Sequence, residues 1–213
     1  MMKNTILLLA ATTALATSAH AATMITVQDF SFQNEAPNTQ FATADPGVDN
    51  GWYTTSGSNA NYKYFSDPGA ADGTQVGLLG LGFHNNINVQ QTISTSFAAN
   101  TDYSLTVFGR AITAADGDVQ MTLELYDGAT VLKTQNYTYN SGSDGDAVLS
   151  VLASDVGSNT GNIGIRIIKS DLLGGNTELR VDNVRLDFTT VPEPSSAALL
   201  GLGGFALILL RRK

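Results

Sequence analysis

The sequence predicts an all-β fold, two antiparallel sheets packed face to face as a β-sandwich or jelly roll. From Met24 onward, apolar residues recur with period two far more often than with period three or four. The stretches between them are rich in Gly, Asn, Asp, Ser and Thr, the residues of turns. No amphipathic-helix pattern stands out, so the crossovers that a parallel sheet needs are missing.

In chain order the predicted strands are Ile25–Phe32, Trp52–Thr55, Tyr62–Phe65, Gln75–Leu79, Val89–Thr95 and Tyr103–Ala111, then Val119–Tyr126, Val131–Tyr139, Val148–Leu152, Ile163–Ile168 and Glu178–Phe188. The seventh shows the logic. Val119, Met121, Leu123 and Leu125 alternate with Gln120, Thr122, Glu124 and Tyr126, so one face can be buried while the other stays wet. Asp127-Gly128 then turns the chain into the eighth strand, a strong hairpin signal. Asp116-Gly117-Asp118 and Asp144-Gly145-Asp146 read as polar hairpin tips, and no internal repeat is evident.

The two ends read as addresses. Met1 to Asn4 is a short cationic start, and the following apolar run, Thr5 to Ala16, is too short to cross a bilayer. Ala19-His20-Ala21 then supplies the small residues that a signal peptidase accepts. A signal peptide over 1–21, an exported β-sandwich domain over 22–190 and an anchor segment over 191–213 are therefore expected. In the last of these, Ser195 to Leu210 carries no charge. As a helix it reaches about 24 Å, against a hydrocarbon core of roughly 30 Å. Pro194 suits the first helical turn, and Arg211, Arg212 and Lys213 form a membrane stop that snorkels to the cytoplasmic interface. One C-terminal transmembrane helix, holding a precursor in the inner membrane, is the expectation.

Charge narrows the partners. The sequence has 19 acidic against 11 basic residues, a formal charge of −8. Lys3, Arg211, Arg212 and Lys213 lie in the end segments with only Glu193 opposing them, so the exported domain is more acidic still. Nucleic acid, which demands a basic footprint, is not expected as a partner. Cysteine is absent, which removes disulfides, thiol catalysis and cysteine-ligated zinc.

Val191-Pro192-Glu193-Pro194, followed by an apolar segment and a basic terminus, resembles the PEP-CTERM sorting signal of Gram-negative bacterial surface proteins. The resemblance implies an exosortase as partner, cleavage near the motif, and transfer to the cell envelope or an extracellular polysaccharide matrix. A second resemblance spans the domain. Asp29-Phe30-Ser31-Phe32-Gln33, Gly51-Trp52, Gln90-Gln91-Thr92-Ile93, Asn100 to Leu105 and Val181-Asp182-Asn183-Val184 are similar to the motif series of galactose-binding-like jelly rolls, an architecture shared with carbohydrate-binding modules. In several such modules an acid of the first motif and the Asp of the last hold a structural Ca²⁺. Asp182 matches the second position, while Gln33 stands where the first acid would be. No cofactor beyond that structural calcium is implied.

Sugar recognition needs an aromatic face with amides or carboxylates beside it. Tyr62 with Tyr64, and Tyr137 with Tyr139, each share one face of a strand, and Asn136 flanks the second pair. These are the candidate glycan-binding residues, with half-buried cross-strand packing as their structural alternative. Trp52 reads as a core anchor. His20 leaves with the signal, so His84 would have to serve any Ser-His-Asp device, and no nucleophile motif accompanies it. The sequence thus predicts a non-catalytic glycan-binding module, with a structural matrix protein as the alternative.

Overall fold

The computed structural model describes residues 21–43, 45–49, 51–56, 62–80, 86–113, 117–172 and 177–191. Residues 1–20 of the expected signal peptide, His84, Pro192, Glu193, Pro194, the expected transmembrane segment and Arg211, Arg212 and Lys213 all lie outside the described residues. Among those described, no helix is long and apolar enough to cross a membrane.

The strands are β1 (Thr23–Ile25), β2 (Tyr62–Ser66), β3 (Gln75–Leu79), β4 (Ile87–Ser96), β5 (Thr101–Thr113), β6 (Val119–Asp127), β7 (Thr130–Tyr139), β8 (Asp144–Val151), β9 (Asn162–Asp171) and β10 (Thr177–Thr190). One described helix, α1 (Ala153–Val156), adds a single turn before β9. One sheet runs β2-β3-β10-β5-β8, with β1 also paired to β10; the other runs β4-β9-β6-β7. Every pairing is antiparallel. The expected two-sheet antiparallel sandwich is the observed fold.

Period two does the work. On β6, Val119, Met121, Leu123 and Leu125 are fully buried while Gln120, Thr122 and Glu124 are half-exposed, and Ile163, Ile165 and Ile167 of β9 pack beside them; Tyr126, expected on the wet face, is buried as well, with the Arg166 guanidinium over its ring. Each such side chain contributes about 1.5–3 kcal/mol by leaving water. All five residues of β3 are buried, between its neighbours β2 and β10.

Two predicted strands are corrected. Of Ile25–Phe32 only Ile25 belongs to a strand, since Asp29 (φ 48°) and Phe32 (φ 56°) adopt left-handed backbone that no strand accommodates. Trp52–Thr55 shrinks to isolated bridges of Tyr53 with Ala42 and Gln90. The segment from Gln28 to Ser56 instead runs across the open side of the sandwich between the edge strands β2 and β4. On the opposite side, β7 and β8 close the gap.

Strand β10 changes neighbours along its length, pairing with β3 at Leu179–Val181 and with β1 at Leu186–Phe188. A bulge between Asp182 and Arg185, with Asn183 at φ 48°, marks the change. It keeps both Val181 and Val184 in the core and turns Asp182 to the outer side of the sheet.

Candidate functional site

Asp29 is held from several directions where the covering segment leaves β1. The Gln91 side chain fixes the preceding residue like a strand partner, its Oε1 accepting the Gln28 N–H (2.9 Å) and its Nε2 donating to the Gln28 carbonyl (2.8 Å). The indole N–H of Trp52 donates to the Asp29 carbonyl at 3.0 Å. Asp29 Oδ1 accepts the backbone N–H groups of Gln33 (2.6 Å) and Asn34 (2.9 Å), bridging the turn in which Asp29 and Phe32 adopt left-handed backbone. Its Oδ2 is buried, and the Tyr64 hydroxyl interacts with this carboxyl.

An aromatic cluster supports this carboxyl. Phe32 stacks on Trp52 with centroids 5.2 Å apart, and Phe41 meets Tyr64 edge-on at 4.9 Å. Clefts of about 230 Å³ and 280 Å³ lie here, with Glu35 and Tyr64 as a common wall. Asp29 and Asp49 line the first and Trp52 and Gln40 the second. Burial pushes the Asp29 carboxyl above the usual carboxylate range, against the pull of the Asn34 and Gln33 amides. Tyr64 is raised by burial and then by the negative charges of Asp29 and Glu35, so its hydroxyl keeps its proton.

Chemically this is a carboxyl with one oxygen locked as an acceptor and the other buried, able to hold a proton that an exposed Asp would shed. Asp29, Phe32, Asn38 and Asp49 all have positive φ within this one segment. Such strain persists only where the surroundings over-determine it, and it concentrates at functional sites.

The candidate glycan residues lie elsewhere or point inward. Tyr62 and Tyr64 do share a face, but it is the core face, leaving each 4% exposed. Tyr139 is likewise buried and donates to the Gly145 carbonyl at 3.0 Å. Tyr137 is half-buried, its hydroxyl donating to the Val148 carbonyl and accepting the Val148 N–H (3.0 Å), which fastens β7 to β8. Asn136 is exposed on β7 and accepts a hydrogen bond from Thr122 (2.8 Å). The two tyrosine pairs sit on opposite sides of the sandwich and make no common aromatic face. As a correction, then, three of the four rings are core side chains, placed there by the same alternation that identified them. Trp52 is the core anchor expected.

The calcium implied by the jelly-roll resemblance does not fit the residues present. Asp182 is fully buried, and both its oxygens already accept backbone N–H groups, from Asp72 and Asn183, each at 2.8 Å. Burial raises it to about 6, above its ordinary 3.8. Gln33 turns N–H donors, not oxygens, toward the neighbouring carbonyls. Among the described residues no group of three or more His, Asp or Glu is placed to hold a metal.

One further buried charge lies between the sheets. Lys169 of β9 is fully buried 3.0 Å from the Asp171 carboxylate, and burial lowers its pKa.

Fold and site together define a helix-poor β-sandwich that carries a sheltered carboxyl beside an aromatic cleft. Residues 23–187 match the HpiC1-like family, described as HpiC1 cyclase, and the chain belongs to that family. Residues 190–213 match the PEP-CTERM protein-sorting motif, which identifies an exported protein processed at the membrane by an exosortase. No curated protein matches the chain. Among solved structures it is similar to a cyclase from Fischerella sp. TAU in complex with 4-(1H-indol-3-yl)butan-2-one, at 17% identity and a TM-score of 0.60 over 81% of this chain and 100% of that one. The Stig cyclase Fisc from the same source is similar at 18% identity and a TM-score of 0.58, with the same coverage. TmCBM61 in complex with β-1,4-galactotriose gives 13% identity and a TM-score of 0.48 over 75% of this chain and 95% of that one. At these identities the likeness to the two Fischerella cyclases is one of fold.

The family assignment overturns the expectation of a non-catalytic domain. No nucleophile motif is present, and a lone carboxyl raised by its surroundings has no sequence signature of that kind. Asp29 and Glu35 were missed as site residues for the same reason; the one available signal was Asp29 within the first motif of the jelly-roll series.

Proposed function

We propose that the exported domain is a cyclase-type acid–base catalyst, with Asp29 as proton donor and the cleft beside Tyr64 and Trp52 as the substrate site. The observation that carries this reading is the Asp29 carboxyl on the cleft wall, with Oδ1 locked by two amides, Oδ2 buried and the Tyr64 hydroxyl beside it. A proton placed on a carbon–carbon double bond generates a cation, an internal π-bond captures it to close a ring, and loss of a proton to the Asp29 carboxylate restores the donor. The change is an isomerisation that needs no oxidant or reductant. Membership of the HpiC1-like family supports it, as does the indole ligand in the Fischerella relative. After exosortase processing, the mature protein resides in the cell envelope or extracellular matrix.

The test is solvent-deuterium incorporation into an alkenyl-indole probe, followed by mass spectrometry. Wild type incorporates deuterium, and Asp29→Asn loses about 10²–10⁴-fold of the rate. Equal rates in the two proteins defeat the proposal.

A second reading has its own observation: Glu35, Asp49 and Gln40 flank the aromatic cleft, a mixture that suits sugar hydroxyls. In that case extracellular polysaccharide binds the domain, binding is lost in Glu35→Ala, and no deuterium enters the probe.

A further inference from the structure

We propose that the Gln33 side-chain amide occupies the place of a structural cation in this sandwich, so that the connection between β2 and β3 is latched without metal. A hard divalent cation organises such a loop by drawing six to eight oxygens toward one point. Here Gln33 Nε2 performs that task with two N–H donors, reaching the Ser31 carbonyl at 2.5 Å and the Gln75 carbonyl at 3.1 Å. Its Oε1 meanwhile accepts the Thr74 N–H at 3.2 Å. The loop backbone closes directly on the amide: Gly73 is at φ 70°, and a Cβ there would lie 2.6 Å from Gln33 Cδ.

Asp182 holds the same loop from the other side by accepting the Asp72 N–H. Donors and acceptors are therefore matched between side chains and loop, and the carbonyls that a cation would gather are already satisfied. The amide also ties the loop to the candidate site, because the backbone N–H of Gln33 binds Asp29 Oδ1. A glutamate of the same size at position 33 reverses the donor set. It adds a carboxylate to the loop that Asp182 also holds and frees the Ser31 and Gln75 carbonyls.

Thermal melts of the full-length chain in detergent, with EDTA or with calcium chloride, test this. The wild-type midpoint is expected to be the same in both. Gln33→Glu is expected to gain a calcium-dependent rise of roughly 5–10 °C once calcium is a hundred-fold above its Kd, or to fold only in calcium. Gln33→Met, which keeps the length and removes the amide, lowers the midpoint equally in both buffers. A wild-type midpoint that rises in calcium overturns the proposal, as does a folded Gln33→Glu protein that ignores calcium or a Gln33→Met loss confined to the calcium buffer.

Discussion

The indole N–H of Trp52 donates to the Asp29 carbonyl at 3.0 Å, joining the aromatic plug of the sandwich to the acid of the cleft. Trp52→Phe keeps a ring against Phe32 but leaves that carbonyl with the Phe32 N–H as its remaining donor. The expected cost is about 0.5–1.5 kcal/mol in chemical denaturation followed by circular dichroism. Turnover should fall with it, because the Asp29 backbone loses one of its supports.

Arg180 ties the outer face of the larger sheet together. Its guanidinium lies 4.7 Å from the Phe65 centroid and 2.8 Å from the buried Asp67 carboxylate. Burial opposes the charge on Asp67, yet the Arg180 contact, the Gly69 N–H and Arg110 together hold its pKa below the ordinary value. Arg180→Met leaves that carboxylate with the Gly69 N–H and, as its only described cation, Arg110 at 3.5 Å, and is expected to cost about 3–5 kcal/mol. Adding Asp67→Asn should recover part of the loss, measurable as a coupling energy in a double-mutant cycle.

Stability should respond to the buried Asp182. Its folded value near 6 lies above 3.8, so the folded state binds the extra proton between those limits. The contribution is fully present below about pH 4 and is lost as pH rises through 6. Asp182→Asn removes that titration, and its melting midpoint should decline less than that of wild type between pH 4 and pH 6.5. Parallel pH profiles for the two proteins would show that Asp182 does not titrate in this window.

Tyr137 clasps both the N–H and the carbonyl of Val148 across the closed side of the sandwich. Tyr137→Phe is expected to lose about 1 kcal/mol of stability with no change in deuterium incorporation. A large fall in polysaccharide binding without a stability change would instead point to an exposed recognition role for its hydroxyl.

Strands were legible where burial is one-sided. In β6 each residue's face follows from its polarity, and β3 stood out between clear turn residues. The covering segment was not legible. Val27, Phe30 and Phe32 suggested a strand, but the Asp29 carboxyl captures the Gln33 and Asn34 amides and bends the chain, a local competition that hydropathy does not encode. The tyrosine pairs show the converse limit: alternation places both members on one face without saying whether that face meets core or solvent. The site itself joins Asp29 with Trp52 and Tyr64, residues distant in sequence with no fixed spacing to mark them. Its acidity comes from burial, which only the folded chain supplies.

The central claim is that Asp29 holds a proton beyond the range of an ordinary carboxyl. A ¹³C-carboxyl NMR titration of the full-length chain, with the Asp29 resonance assigned by its loss in Asp29→Asn, measures this directly. The account predicts a midpoint clearly above 3.8, the ordinary value for aspartate. A midpoint at or below it would contradict the account.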